Sequence, residues 1–72
     1  MKHIDIISES FNLEKKKIKP NDKVEKFMDS MVIISLISNV DTEFSKILDD
    51  KKFEHIVYFK DIDDLIEKKI KK

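Results

Sequence analysis

The 72-residue chain contains no glycine, and this absence limits its possible folds and functions more than any other feature of the sequence. Phosphate-binding loops and dinucleotide-binding turns need glycine, because their backbone approaches the phosphate groups closely. Tight β-hairpins also use glycine at positions of positive φ. A helical bundle has no such requirement, so the sequence predicts an all-α fold without these nucleotide-binding motifs.

Length and charge limit the function further. Seventy-two residues make one small domain, predicted to span residues 1–72. The 15 lysines balance 15 aspartates and glutamates, so we expect no nucleic-acid binding of the kind that a cationic excess drives. The chain has no cysteine, which excludes disulfides and thiolate metal sites. No apolar run is long enough to cross a membrane, so we expect no membrane insertion and a cytoplasmic location.

Apolar residues spaced three and four apart predict the helices. A first stripe covers residues 4–13, and this helix should end by about Lys17 because Pro20 follows. The strongest stripe covers residues 31–44, with a last helix beginning near Lys60 and a short helix or turn at residues 49–56. The prediction is three long helices plus a short one in third position, arranged as a four-helix bundle.

Two further features surround the strongest helix. The preceding loop, residues 18–29, is long for so small a domain and should be held by apolar anchors at Ile18, Val24, Phe27 and Met28. Within the helix, the core stripe should be Ile33, Leu36, Ile37, Val40 and Phe44. The opposite face should consist of Met31, Ser35, Ser38 and Thr42, and it carries no charge in a chain that is 42% charged.

The sequence offers no catalytic constellation. His3 and His55 lie in different segments without the spacing of a metal pair, so each is predicted to be solvated or capping. The adjacent pair Asp63 and Asp64 is predicted to lie on a solvated surface rather than to form an acid–base dyad. We therefore expect neither an enzyme active site nor a metal site.

Ser30 stands at the start of the strongest helix and allows two interpretations. It can be an N-cap, because serine oxygens accept the first unpaired backbone N–H groups. A hydroxyl at a helix N-terminus is also where an attached phosphate is well tolerated, since the free N–H groups and the helix dipole favour negative charge. The two roles are compatible if Asp29 provides the cap and Ser30 carries the group.

The motif Asp29-Ser30-Met31, followed by an apolar helix that ends in Glu43-Phe44, resembles the modification site and second helix of acyl carrier proteins. Later segments match in the same order. Leu48-Asp49-Asp50 and Phe53 resemble the approach to the family's short third helix, and Phe59-Lys60-Asp61-Ile62 resembles its last helix. The resemblance covers nearly the whole chain.

The resemblance implies a specific chemistry for each residue of the motif. Ser30 would carry 4′-phosphopantetheine, derived from coenzyme A, through a phosphodiester, and the thiol of this arm would hold an acyl group as a thioester. Asp29 would help to place the phosphopantetheinyl transferase and its metal, and Met31 would contact partners. Val32, Ser35, Ser38 and Asp41 would face the partner enzymes. The implied protein is a monomeric shuttle between loading ligases and acyl-using enzymes, with no catalytic residue of its own.

The chain also departs from the typical fatty-acid-synthesis carrier. Phe27-Met28 precede the motif where those carriers usually have glycine, and acids appear on the second helix only near its end, at Asp41 and Glu43. These departures favour a specialised biosynthetic pathway and docking with little electrostatic steering. Two alternatives stay open: an aminoacyl carrier of the D-alanyl type, and an unmodified helical interaction module in which Ser30 only caps the helix.

Overall fold

The computed structural model describes residues 1–71 and shows an all-α fold, as predicted. Three α-helices, α1 (Ile4–Phe11), α2 (Ser30–Phe44) and α3 (Phe59–Ile70), make up about half of this part of the chain. Short 3₁₀ helices cover Lys15–Lys17 and Asp50–His55, and the second of these is the predicted short helix in third position. Lys72 lies outside the described residues. None of the helices within residues 1–71 has the length and apolar character needed to span a membrane.

Helix α1 ends at Phe11, which agrees with the prediction of an end by about Lys17. Asn12 adopts a left-handed conformation, with φ of 56°, and its backbone N–H donates to the Glu9 carbonyl. Asparagine tolerates this conformation better than most residues, so it ends the helix there. Lys15–Lys17 form a separate 3₁₀ turn.

The core lies between the three α-helices and is built from one continuous cluster of apolar side chains. In α2, Leu36 and Val40 are completely buried, and the other members of the predicted stripe are partly buried against them. The remaining buried apolar residues come from every other part of the chain: Ile7, Phe11, Ile18, Val24, Leu48, Phe53, Phe59, Ile62 and Ile66. The predicted core stripe of α2 is therefore confirmed.

The long loop before α2 is docked onto the start of α3 by backbone hydrogen bonds. The Val24 N–H donates to the Val57 carbonyl at 2.9 Å, and the Phe59 N–H donates to the Asp22 carbonyl at 3.1 Å. These bonds surround one isolated antiparallel bridge between Lys23 and Tyr58. Since the loop leads directly into α2, its docking fixes where that helix begins.

The apolar anchors of this loop agree with prediction at three of four positions. Ile18 and Val24 are buried and Met28 is partly buried. Phe27 was predicted wrongly, because its side chain is 42% exposed. Its ring touches the core only from outside, with its centroid 6.1 Å from that of Phe59.

The N-terminal residues are fastened to α3 by a carboxylate that was predicted to be solvated. Asp63 is only 8% exposed and accepts the backbone N–H groups of Lys2, at 3.3 Å, and His3, at 2.7 Å. A buried carboxylate is tolerable only when such donors satisfy it. The prediction of a surface position was therefore wrong for Asp63, whereas Asp64 is exposed.

His3 is likewise not the solvated residue that was predicted. Its ring packs edge-on against Phe44, with centroids 5.7 Å apart, and its side chain is only 10% exposed. It occupies the N-cap position of α1, but its side chain makes no capping hydrogen bond. Nε2 instead lies 3.5 Å from Glu67 Oε2, so the imidazole joins the ends of α2 and α3.

Candidate functional site at the start of α2

The start of α2 separates the two roles that the sequence allowed for Ser30. Asp29 has an extended backbone, with φ of −147° and ψ of 179°, and occupies the N-cap position. One oxygen of its carboxylate accepts the Val32 N–H at 2.9 Å, and its carbonyl accepts the Ile33 N–H at 3.1 Å. Asp29 is thus the cap, and Ser30 is the first residue inside the helix.

The Ser30 hydroxyl is left accessible by this arrangement. The residue is exposed, and no hydrogen bond to its hydroxyl is found among residues 1–71. The N–H groups of Ser30 and Met31 precede the first helical hydrogen bond, and no acceptor for them is found within residues 1–71, at the positive end of the helix dipole. The site combines an unpartnered hydroxyl with donors that favour an attached anion.

Apolar side chains with large exposed areas flank this hydroxyl. Met31 is 68% exposed and Ile34 is 59% exposed. Ile34 is four residues after Ser30, which places the two on the same face of α2. Isolated exposed apolar residues are common, but here Phe27, three residues before Ser30 and 42% exposed, is a third within a short segment around one accessible hydroxyl. We call Phe27, Met31 and Ile34 the apolar rim of the site.

The exposed face of α2 is rotated relative to its predicted position. Ser38 is exposed as predicted, but Ser35 is partly buried and Ile34 takes the outward place. The rotation has a visible cause, since Asn39 Nδ2 donates to Ser10 Oγ of α1 at 2.8 Å and draws that side of α2 inward. Ile34 was missed, and its spacing of four from Ser30 was the signal that could have identified it.

The four residues expected to face partners are thereby divided into two pairs. Ser38 and Asp41 are exposed on the same side of α2 as Ser30. Val32 and Ser35 are only partly exposed, and Val32 packs against the core. A partner that approaches Ser30 therefore meets an uncharged stretch of helix first and reaches Asp41 three turns later.

A groove adjoins the loop that leads to the site. It has a volume of about 310 Å³ and is lined mainly by apolar side chains of the loop and of the segment before α3: Val24, Met28, Phe53, Ile56 and Val57. Lys23 and Glu25 stand at its edge. Met28 is two residues before Ser30, and Ser30 itself does not line the groove.

The side chains that could bind a metal do not come together elsewhere in residues 1–71. Within residues 1–71, the histidines and carboxylates form no group of three or more that could hold an ion. His55 is exposed, whereas His3 is held by Phe44 and Glu67 as described above. The start of α2 is therefore the candidate site that the arrangement of residues best supports.

Comparisons with known proteins identify no relative from which a function can be transferred. No protein-family model matches the chain, and no curated protein matches it. The assignment of a function therefore depends on the local chemistry at the start of α2.

Proposed function

We propose that the chain is an acyl carrier protein, with the Ser30 hydroxyl as the attachment point of a 4′-phosphopantetheine arm derived from coenzyme A. The arm supplies the thiol on which acyl groups are held as thioesters and carried between partner enzymes. The observation that supports this proposal most strongly is at the start of α2, where Asp29 provides the cap and the Ser30 hydroxyl has no hydrogen-bond partner within residues 1–71. A serine needed only as a cap would occupy the position of Asp29.

The residues around Ser30 fit an attached phosphodiester. Its negative charge would lie next to the unpaired N–H groups of the first helical turn, where the helix dipole favours an anion. The Asp29 carboxylate is directed to the Val32 N–H, so its charge is partly compensated there. Because Ser30 is exposed, an attached chain needs no cavity in the bundle and no rearrangement of the core.

The apolar rim determines how partners are expected to dock. A transferase or an acyl-using enzyme that reaches Ser30 meets Met31 and Ile34 before any charged residue of α2. We infer that docking relies on apolar contact with the rim and is only weakly steered by charge. Reversing a basic patch on the partner should then change binding little, and a large loss of binding would contradict this part of the proposal.

The decisive experiment is the intact mass of the protein after incubation with coenzyme A and a broad-specificity phosphopantetheinyl transferase. The proposal expects a gain of one phosphopantetheine, absent in Ser30→Ala. Ser38→Ala is the matched control, because it removes an exposed hydroxyl from the same face of α2 and should not affect the gain. A gain that persists in Ser30→Ala, or is absent from the folded wild type with several transferases, would overturn the proposal.

A second function is favoured by the apolar rim itself. An unmodified interaction module would use Phe27, Met31 and Ile34 to bind a partner helix, since apolar and aromatic residues are enriched at the centres of interfaces. The mass experiment distinguishes the two functions, because the module gains no mass. An aminoacyl carrier shares the attachment chemistry of an acyl carrier and differs in its loading ligase, so identifying the cargo on the isolated protein separates those two.

A further inference from the structure

A second groove lies on another part of the molecule, between the second 3₁₀ helix and α3. It has a volume of about 610 Å³, which is within the range of small-molecule sites. Three apolar side chains, Leu48, Ile56 and Leu65, contribute to its lining. Leu48 is buried and the other two are packed against the core, so this floor is part of the folded structure.

Cationic side chains stand on both sides of this floor. Lys52 comes from the second 3₁₀ helix, whereas Lys68 and Lys69 come from the last turn of α3. The negative end of the α3 dipole explains the two lysines of that helix, but it does not explain Lys52. None of the three has an ion-pair partner within residues 1–71. We call this feature the basic groove.

Acidic residues also line the basic groove, but within residues 1–71 they form no ion pair with these lysines. Asp49 accepts the Lys51 backbone N–H at 3.0 Å, and Asp61 accepts the Val57 and Tyr58 N–H groups at 3.1 and 2.9 Å. Both carboxylates are thus held at helix starts by backbone donors. With Asp64 as the third acid, the lining has four lysines and three carboxylates.

We propose that the basic groove binds a single-chain amphiphilic anion, such as a fatty acid, with its chain on the apolar floor and its carboxylate among Lys52, Lys68 and Lys69. The apolar surface is concave, so it can receive one chain but cannot be inserted into a bilayer. Its volume also suits one such molecule better than a protein partner, which needs a contact of roughly 1,000 Å² or more. The inference is independent of the attachment proposed at Ser30.

The test uses dodecanoate below its micelle concentration and follows backbone amide shifts of the full chain by NMR. The expected result is saturable binding with the largest shifts around Leu48, Ile56 and Leu65. Dodecyltrimethylammonium, which has the same chain and the opposite charge, should bind much more weakly. Ser30→Ala should bind dodecanoate as the wild type does, so failure of the carrier proposal leaves this result unchanged.

Two charge variants make the test specific. The triple variant Lys52→Gln/Lys68→Gln/Lys69→Gln should bind dodecanoate roughly tenfold more weakly, because charge-assisted contacts to the carboxylate are lost. Its matched control removes three lysines elsewhere, as Lys15→Gln/Lys16→Gln/Lys17→Gln, and should retain the wild-type affinity. Equal losses in both variants, shifts centred outside the groove, or equal binding of the cationic detergent would overturn the proposal. If the protein binds anionic vesicles and only the Lys52/Lys68/Lys69 variant loses this binding, the ligand of the basic groove is a membrane surface and not a single amphiphile.

Discussion

The starts of α2 and α3 each use the carboxylate of an aspartate as a hydrogen-bond acceptor, but one start is left open and the other is closed. At α3, the Asp61 carboxylate accepts two backbone N–H groups, and the loop before α2 supplies the carbonyls of Asp22 and Pro20 for the N–H groups of Phe59 and Lys60. At α2, the Asp29 carboxylate satisfies one N–H group, and no acceptor for the Ser30 and Met31 N–H groups is found within residues 1–71. The start of α3 is closed by the fold, and the start of α2 is open to a partner or an attached group.

The apolar residues at the two helix starts show the same contrast. Phe59, the first residue of α3, is completely buried, and its ring packs against Phe11 at 5.2 Å between centroids. Met31, the second residue of α2, is 68% exposed. A large apolar side chain that the core does not need is a feature expected of a binding surface, whereas Phe59 is a structural requirement.

The largest expected effect comes from truncating these two residues. Phe59→Ala should cost roughly 3–5 kcal/mol, which approaches the whole stability of a small domain, about 5 kcal/mol. Met31→Ala should change the free energy of unfolding by no more than about 0.5 kcal/mol. Urea unfolding followed by circular dichroism measures both, and the milder Phe59→Leu keeps the comparison usable if Phe59→Ala fails to fold. A comparable loss in Met31→Ala would show that the start of α2 is also structural.

The capping aspartates should differ by a smaller amount. Asp61→Ala leaves the N–H groups of Val57 and Tyr58 without their acceptor and should cost about 2 kcal/mol. Asp29→Ala removes one capping bond at an exposed position and should cost about 1 kcal/mol. Asp29→Asn keeps a capping oxygen, so it should be nearly neutral. The urea midpoints of the three variants test this order, and a greater loss at Asp29 would reverse the contrast between the two starts.

Much of this contrast could be predicted from the sequence, because α2 and α3 carry dense apolar stripes bounded by polar residues. The pattern predicted α2 within one residue, since Ser30 and Phe44 stand where the stripe begins and ends. It also identified Asp29 and Ser30 as the residues of interest. Which of them caps the helix depends on backbone angles that residue preferences leave open, since both residue types are good caps.

The features that were predicted wrongly depend on contacts between distant parts of the chain. Asp63 is buried because its donors, Lys2 and His3, lie 61 and 60 residues away. Ile34 is exposed because the bond between Asn39 and Ser10 sets the rotation of α2 against α1. Hydrophobic periodicity describes one helix at a time and therefore contains no information about either contact.

The start of α1 provides a third case, in which the attachment of the N-terminal residues to α3 should depend on pH. Glu67 lies 3.3 Å from Lys2 Nζ and 3.5 Å from His3 Nε2. Partial desolvation raises the pKa of the Glu67 carboxyl, but the hydrogen bond from Lys2 and the charges of Lys2, Lys71 and His3 outweigh it and hold the pKa below its usual value. The ionised form is thus favoured by folding, so its stabilisation is present above the unfolded-state pKa of about 4.3 and lost as the pH falls through the lower folded-state value.

Glu67→Gln tests this dependence. The wild type should be more stable than the variant at neutral pH. The difference in free energy of unfolding should narrow as the pH falls below the pKa of free carboxyl groups. Urea midpoints at a series of pH values measure the difference. Glu54→Gln, at an exposed position on the second 3₁₀ helix, reports the general effect of removing one negative charge. A difference that stays constant with pH would show that the carboxylate charge is not what fastens the start of α1.

The effect of Ser30→Ala on stability is among the smallest expected, and it is the most informative for the open helix start. Its hydroxyl has no hydrogen-bond partner within residues 1–71, so its loss should change the free energy of unfolding by no more than about 0.5 kcal/mol. Ser10→Ala is the matched control, because the Ser10 hydroxyl is buried and accepts a bond from Asn39 at 2.8 Å, and its loss should cost about 1–2 kcal/mol. Equal costs would mean that both hydroxyls are structural and that Ser30 is held by the fold. A negligible cost at Ser30, combined with loss of the phosphopantetheine mass gain, would mean that its hydroxyl serves attachment and not stability.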